Sequence, residues 1–194
     1  MIGRLIPKAI KEPLGHYWNM TNGAYRYLMQ HGKNPVQPVE DSAAFTRACA
    51  DRAVEWFLFH QKSQPDGGVT AHVWFNKGKT RLSTSYPEVT GYIIPSLFNY
   101  AKEFDRPDVR EAAIRAADFE LPLQEEGDGW FPGGRVGDYR RASVFNSGMI
   151  IDGLVRAYRE TKEDKYLESA QRAGRWIRGQ QEASGVWGAG NYLG

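Results

Sequence analysis

The sequence predicts an all-α fold of stacked helical hairpins, on three observations. The first is an internal repeat. The segment RAADFELPLQEEGDGW, residues 115–130, is matched by RAGRWIRGQQEASGVW, residues 172–187. Arg115 aligns with Arg172, Phe119 with Trp176, Gln124 with Gln181 and Trp130 with Trp187, each pair 57 residues apart. Gly91 with Gly148 and Leu97 with Leu154 carry the same offset backward. A weaker copy, EWFLFHQKSQPDGGV, sets Trp56 before Gln61 as Phe119 is set before Gln124. The second observation is that helices of two kinds alternate, one apolar over most of its surface and one with a narrow apolar stripe. The third is that the connections alternate between short and long.

Taken in order, the first predicted element is a helix over 16–30. An amphipathic outer helix follows over 42–61, with Asp41 or Ser42 as its N-cap, and then a long loop, 62–88. An inner helix over 89–104 carries Val89, Tyr92, Ile93, Ile94, Leu97, Phe98 and Ala101; a helix apolar on most sides is buried on most sides. The short turn FDRPD leads to an outer helix over 108–123, and a second long loop spans 125–146. The pattern then repeats, with an inner helix over 147–160, the turn TKED and an outer helix over 165–180. Within SYPEVTGYIIP, residues 85–95, Pro87 suits a first helical turn. The Gly91 and Gly148 pair predicts close helix packing, and Pro95 predicts a kink or a helix start nearer Ile94.

Two-helix units of this length describe an α/α toroid. A ring of six hairpins needs roughly 340 residues by repeat stacking, and this chain of 194 holds about three. The expected organisation is one incomplete domain over 1–194. It divides into an N-terminal helical segment (1–41), an outer helix with its loop (42–88), a hairpin unit (89–146) and a second, truncated one (147–194). Open inner-helix surface predicts self-association, or a missing C-terminal half that completes the ring.

Composition narrows the function classes. A net charge of +2 argues against a nucleic-acid partner. The single cysteine, Cys49, excludes an internal disulfide and a thiolate metal cluster, and its Ala-rich setting predicts a buried small hydrophobe. No apolar run reaches membrane-spanning length, and MIGRLIPKAIKEP lacks the apolar core of a signal peptide. A cytoplasmic protein is expected. No G-x-G-x-x-G, P-loop, G-x-S-x-G or H-E-x-x-H pattern occurs, so neither cofactor nor metal is expected.

Both long loops fall at the N-termini of the inner helices, where orphan N–H groups and the helix dipole favour anions. Lys77, Lys79 and Arg81 in the first loop, and Arg135, Arg140 and Arg141 in the second, add cations. The acids on this face are Asp66, Glu88, Asp128 and Asp138. Glu88 stands out: burial at the head of an apolar helix would raise its pKa, the dipole would lower it, and first-turn capping is the structural alternative. Asp66 and Asp128 also suit turns. Tyr86 and Tyr139 can act as acid or base, stack, or pack. Trp74, Trp130 and Trp187 can form a stacking rim or plug the hairpin ends. Asn146 reads as an N-cap with a substrate hydrogen bond as alternative, and His72 has no second histidine at ligand spacing.

The blocks DGGV, SYPEVTGYIIPSLFNYA, FPGG and SVFNSGMIIDGLVRAY resemble a group of bacterial α/α-toroid proteins encoded with polysaccharide genes. That group is similar to the six-hairpin glycosidase-like superfamily, which includes unsaturated glucuronyl hydrolases, and to D-glucuronyl C5-epimerases. The resemblance covers residues 43–187. It implies the fold and a carbohydrate substrate: an anionic, uronic-acid-containing polysaccharide or oligosaccharide, acted on by hydrolysis, epimerisation or elimination. Glu88 would then be the acid–base group, aided by Tyr86 or Asp138. Arg135 and Arg140 would clamp a carboxylate, with Trp74, Trp130, Asn146, Asp66 and His72 at the sugar. A non-catalytic carbohydrate-binding or scaffold domain is the alternative. The blocks from Gln124 to Trp130 and from Gln181 to Trp187 also resemble the QW repeat of squalene–hopene-type cyclases, which implies a deep apolar cavity. The Asp-rich motif of those cyclases is absent from this sequence.

Overall fold

A computed structural model describes residues 42–76, 79–138 and 140–188 of the chain. The segment predicted as a helix over 16–30, Lys77 and Tyr139 lie outside the described residues. Among the described residues five α-helices dominate: α1 (Ala43–Lys62), α2 (Pro87–Glu103), α3 (Pro107–Glu120), α4 (Val144–Thr161) and α5 (Asp164–Gly179). A 3-10 turn, Leu121–Leu123, extends α3. The all-α class is as predicted. The long loops are not plain coil, however. The first holds an antiparallel pair, β1 (Val73–Asn76) and β2 (Lys79–Leu82), and the second a minimal pair, β3 (Pro132–Gly133) and β4 (Arg141–Ala142).

Local chemistry sets the helix ends. Ser42 caps α1, its hydroxyl accepting from the Phe45 N–H at 3.1 Å. Pro87 and Pro107 open α2 and α3, where a missing N–H is harmless. Ser143 caps α4 by accepting from the Asn146 N–H, so Asn146 is the third residue of that helix rather than its cap. Both inner helices begin earlier than predicted, because their caps lie before the first apolar residue. Pro95 does not start α2, which runs through it from Pro87 to Glu103.

The core is the seam between α2 and α4, with α3 and α5 packed outside. Ile94, Phe98, Ile150 and Leu154 fill it. The outer helix α3 contributes Val109, Ala112, Ala113, Ala116 and Ala117, all fully buried. Small side chains there let three helices approach α3 closely. The helix crossing depends on glycine. A Cβ on Gly91 would stand 2.7 Å from the Ile150 Cα, and one on Gly153 would stand 2.3 Å from the Gly91 carbonyl oxygen. Pro95 cannot donate to that carbonyl, so the oxygen is free to lie against Gly153. Gly148, by contrast, meets nothing within 4 Å, and the predicted close packing holds at Gly91 alone of the pair. Cys49 is exposed, which corrects the expectation of a buried thiol: it lies on a face of α1 that the described helices do not cover.

Glutamine ties the outer helices together. Gln61 donates to the Gly67 and Ala112 carbonyls, both at 2.9 Å, and accepts from Arg115 at 3.3 Å. Gln124 donates to the Gly129 carbonyl at 2.8 Å and the Ser169 carbonyl at 2.9 Å, and accepts from Ser169 and Arg172. Gly67, Gly129 and Gly185 turn the chain after each glutamine with φ of 84°, 85° and 86°, which a side chain would strain. The loops close alike. The Val69 N–H donates to Thr90 Oγ1 at 3.0 Å and the Phe131 N–H to Ser147 Oγ at 2.9 Å. Val69 and Phe131 in turn accept from the N–H groups of Tyr86 and Ser143.

These bonds revise one sequence alignment. Glu125 N–H donates to the Trp130 carbonyl, whereas Glu182 N–H donates to the Val186 carbonyl. The last turn is one residue shorter, so Trp187 occupies the place of Phe131, not of Trp130.

Candidate functional site

The two long loops meet at the N-terminal ends of α2 and α4. The first is held to α2 by the Thr70–Ser85 bridge and the Tyr86 to Val69 bond. The second is hung on the same strand edge, its Val136 N–H donating to the Ser85 carbonyl at 2.8 Å. These bonds bring together the chain segments that carry Tyr86, Glu88, His72, Arg135 and Asp138.

Among these residues the roles diverge. Glu88 is the second residue of α2, half-buried, and its carboxylate makes no hydrogen bond or ion pair among the described residues. It makes no capping bond, but it does hold the first-turn position of the structural alternative, where the helix dipole favours an acid. Tyr86 is the N-cap residue of α2, and its carbonyl accepts from the Thr90 N–H and hydroxyl. Asp138 accepts from the Arg135 guanidinium at 3.0 and 3.1 Å and from the Arg135 N–H at 2.9 Å. Those bonds hold its carboxyl below the usual aspartate range, with the nearby His72 as a lesser cause. Asp138 is thus kept as a carboxylate rather than poised as an acid, and the fork of Arg135 is turned onto it.

The remaining predicted residues spread around this centre. Asp66 takes the Gly68 N–H at 3.0 Å and the Ser85 hydroxyl at 2.7 Å, so it fixes the first loop's turn. His72 stacks edge-on against Trp74, centroids 4.5 Å apart, and Trp74 is 37% exposed. Arg140 donates to the Leu123 carbonyl at 2.8 Å and sits 5.8 Å from the ring of half-buried Trp130. Asn146 is buried; its amide oxygen accepts from the Ser143 hydroxyl at 2.7 Å, and its Nδ2 has no hydrogen-bond partner among the described residues. Arg81 and Arg141 are exposed, Lys79 opens β2, and Asp128 sits in an exposed turn.

Three residues escaped the sequence reading. Phe145, 57% exposed, holds in α4 the position that Glu88 holds in α2, so an aromatic ring and a carboxylate head neighbouring helices. Asp152 is the exposed carboxylate of α4, without a partner among the described residues. Since Gly91 faces Ile150, Asp152 lies about 7 Å of helix rise below the level of Glu88. Its signal was a lone acid in the apolar run SGMIIDGLV. Glu120 is fully buried, and neither carboxylate oxygen has a hydrogen-bond partner among the described residues. Burial, and secondarily the charge of Asp66, pushes its carboxyl well above the ordinary glutamate range. The aligned residues Phe57 and Ile177 are apolar, which is the signal that could have found it.

A cavity of about 430 Å³ opens beside these loops, lined by Asp66, Arg115, Asp118, Phe119, Leu123 and Val136. Among the described residues no group of acids, histidines or cysteines could hold a metal ion, and no helix is long and apolar enough to cross a membrane. No family model, curated protein or solved structure matches the chain.

Proposed function

We propose that the protein is a carbohydrate-active domain of the α/α-toroid kind, engaging an anionic, uronic-acid-containing oligosaccharide at the loop face. The recurring glutamine and loop bonds, whose partners in the outer helices (Ala112, Ser169) and inner helices (Thr90, Ser147) are 57 residues apart, support the repeat on which the toroid reading rests. One observation carries the function: Glu88, at the head of a buried helix, has no structural partner among the described residues. Exposed aromatics hold related positions, Phe145 the equivalent place at the head of α4 and Tyr92 one turn deeper on the same helix as Glu88. Aromatic faces suit the apolar faces of sugar rings, and a carboxyl uncommitted to structure is available for proton transfer at a sugar carbon or glycosidic oxygen. With Arg135 committed to Asp138, recognition of the substrate carboxylate passes to the exposed Arg81, to Arg140 and to the N–H groups heading α2 and α4.

The test is turnover and binding of uronic-acid oligosaccharides, read by product analysis and calorimetry. Glu88→Gln is expected to abolish turnover while binding stays within about tenfold of wild type. Retained turnover would remove Glu88 from the chemistry. The binding-only alternative is favoured by the Arg135–Asp138 pair, which leaves Glu88 without a second carboxyl at its own level. Binding with no turnover in the wild type, unchanged in Glu88→Gln, would establish that alternative.

A further inference from the structure

We propose that a second copy of this chain docks on the α5 edge, its α1 presenting the Cys49 carbonyl and the Arg52 guanidinium to Gln181. The inference rests on the 57-residue repeat and deepens it. Two of the three tie glutamines are complete. Gln61 takes the carbonyl of Ala112 and the guanidinium of Arg115 from the next outer helix, and Gln124 takes those of Ser169 and Arg172. Each tie is therefore built from a small residue's carbonyl and an arginine three positions on. Among the described residues the Gln181 side chain makes only the internal bond, to the Gly185 carbonyl at 2.9 Å, and Gln181 is exposed.

The packing is open at the same place. Val69 and Phe131, which follow the first two turns, are buried, at 4% and 0% exposure. Their counterpart Trp187 is 42% exposed, and Val186 beside it 54%. Among the described residues no outer helix covers this edge.

The opposite edge of the molecule carries the missing piece. Aligning Gln61 with Gln124 sets Cys49 and Arg52 of α1 in the places of Ala112 and Arg115. Both are exposed, and Arg52 has no partner among the described residues. Phe45, Trp56 and Phe59 on the same helix are also exposed, at 40%, 52% and 60%. Socket and plug lie on different surfaces, so the contact is head-to-tail. Two copies related by a two-fold axis use both edges twice and close, leaving nothing open for a third.

Light scattering and sedimentation of the full chain over a concentration series test this. A dimer is expected. Arg52→Glu and Gln181→Lys should each weaken it by at least about tenfold, with helical circular dichroism unchanged. The two substitutions combined should restore it, because the contact then pairs opposite charges. A monomer at every concentration overturns the proposal, as does a dimer that neither single variant weakens, or open-ended association in place of a dimer. The readout is mass alone. An oligosaccharide-binding monomer would therefore sink this inference and leave the loop-face reading standing, and a dimer blind to sugar would do the reverse.

Discussion

Two edges of the outer layer carry the same glutamine and differ in what lies against it. Around Gln124, α3 and α5 are joined by bonds to the Gly129 and Ser169 carbonyls and by the Arg172 guanidinium; Tyr166 adds a 2.8 Å bond to Asp118. Burial, followed by that bond, pushes the Tyr166 hydroxyl up to about 12. Around Gln181 the same side chain reaches its own turn and stops. The difference shows that the glutamine is not simply a local cap: half of its hydrogen-bonding capacity is designed for a neighbour. The inner layer draws the same contrast between Gly91, pressed against Ile150, and Gly148, with open space around it.

The sharpest way to break the comparison is at the helix crossing. Gly153→Ala puts a methyl group against the Gly91 carbonyl oxygen, a backbone atom that cannot swing away. Overpacking of that kind is expected to cost about 3 kcal/mol. Gly148→Ala, in open space within a helix, should instead stabilise by roughly 0.5–1 kcal/mol. Urea unfolding of both variants checks the pair, and equal effects would mean that α2 and α4 are not in close contact.

Next in size is the glutamine itself. Gln124→Ala strands two buried carbonyls and the Arg172 guanidinium, an expected loss of about 2–3 kcal/mol. Gln181→Ala, measured in the monomer, should stay within about 0.5 kcal/mol of wild type. Thermal denaturation of the two variants under one buffer condition gives the contrast directly.

The smallest effect concerns Glu120 and depends on pH. Its folded pKa lies above its unfolded one, so the unfolded chain ionises first. Stability is full below the ordinary glutamate range and falls as pH climbs from there to the folded pKa. Glu120→Met should therefore raise Tm near about pH 8 by the equivalent of roughly 1–2 kcal/mol and leave it unchanged near about pH 4. An equal shift at both values would show that Glu120 reaches water.

What the sequence made legible was whatever repeats. Helix existence, the two helix kinds and the short turns all followed from periodicity and offset. Helix starts were legible only approximately, because Ser143 and Tyr86 precede the apolar residues that signal a helix. The alignment of Trp130 with Trp187 failed since tryptophan identity outweighed a one-residue shortening of the turn, which only the Glu182 to Val186 bond exposes. Pro95 misled as a helix start because propensity assumes that an unpaired carbonyl is costly, whereas here the Gly91 oxygen rests on Gly153. In the site, the Arg135–Asp138 pairing was hidden: residues three apart in a loop have no fixed relation until the chain turns, and the reading used both as free groups.

The seams give the molecule an order that is close to one-dimensional. α5 packs on α4, while the middle hairpin is met on both sides: α3 lies between α1 and α4, and α2 packs on α4. Peeling the last hairpin away breaks one seam, and extracting the middle one breaks two, so local opening should start at the margin and work inward. Glu88 heads α2, in the doubly held hairpin. Whatever chemistry the loop face performs is therefore anchored in the part of the fold that opens last, while the terminal hairpin can loosen or exchange neighbours without disturbing it.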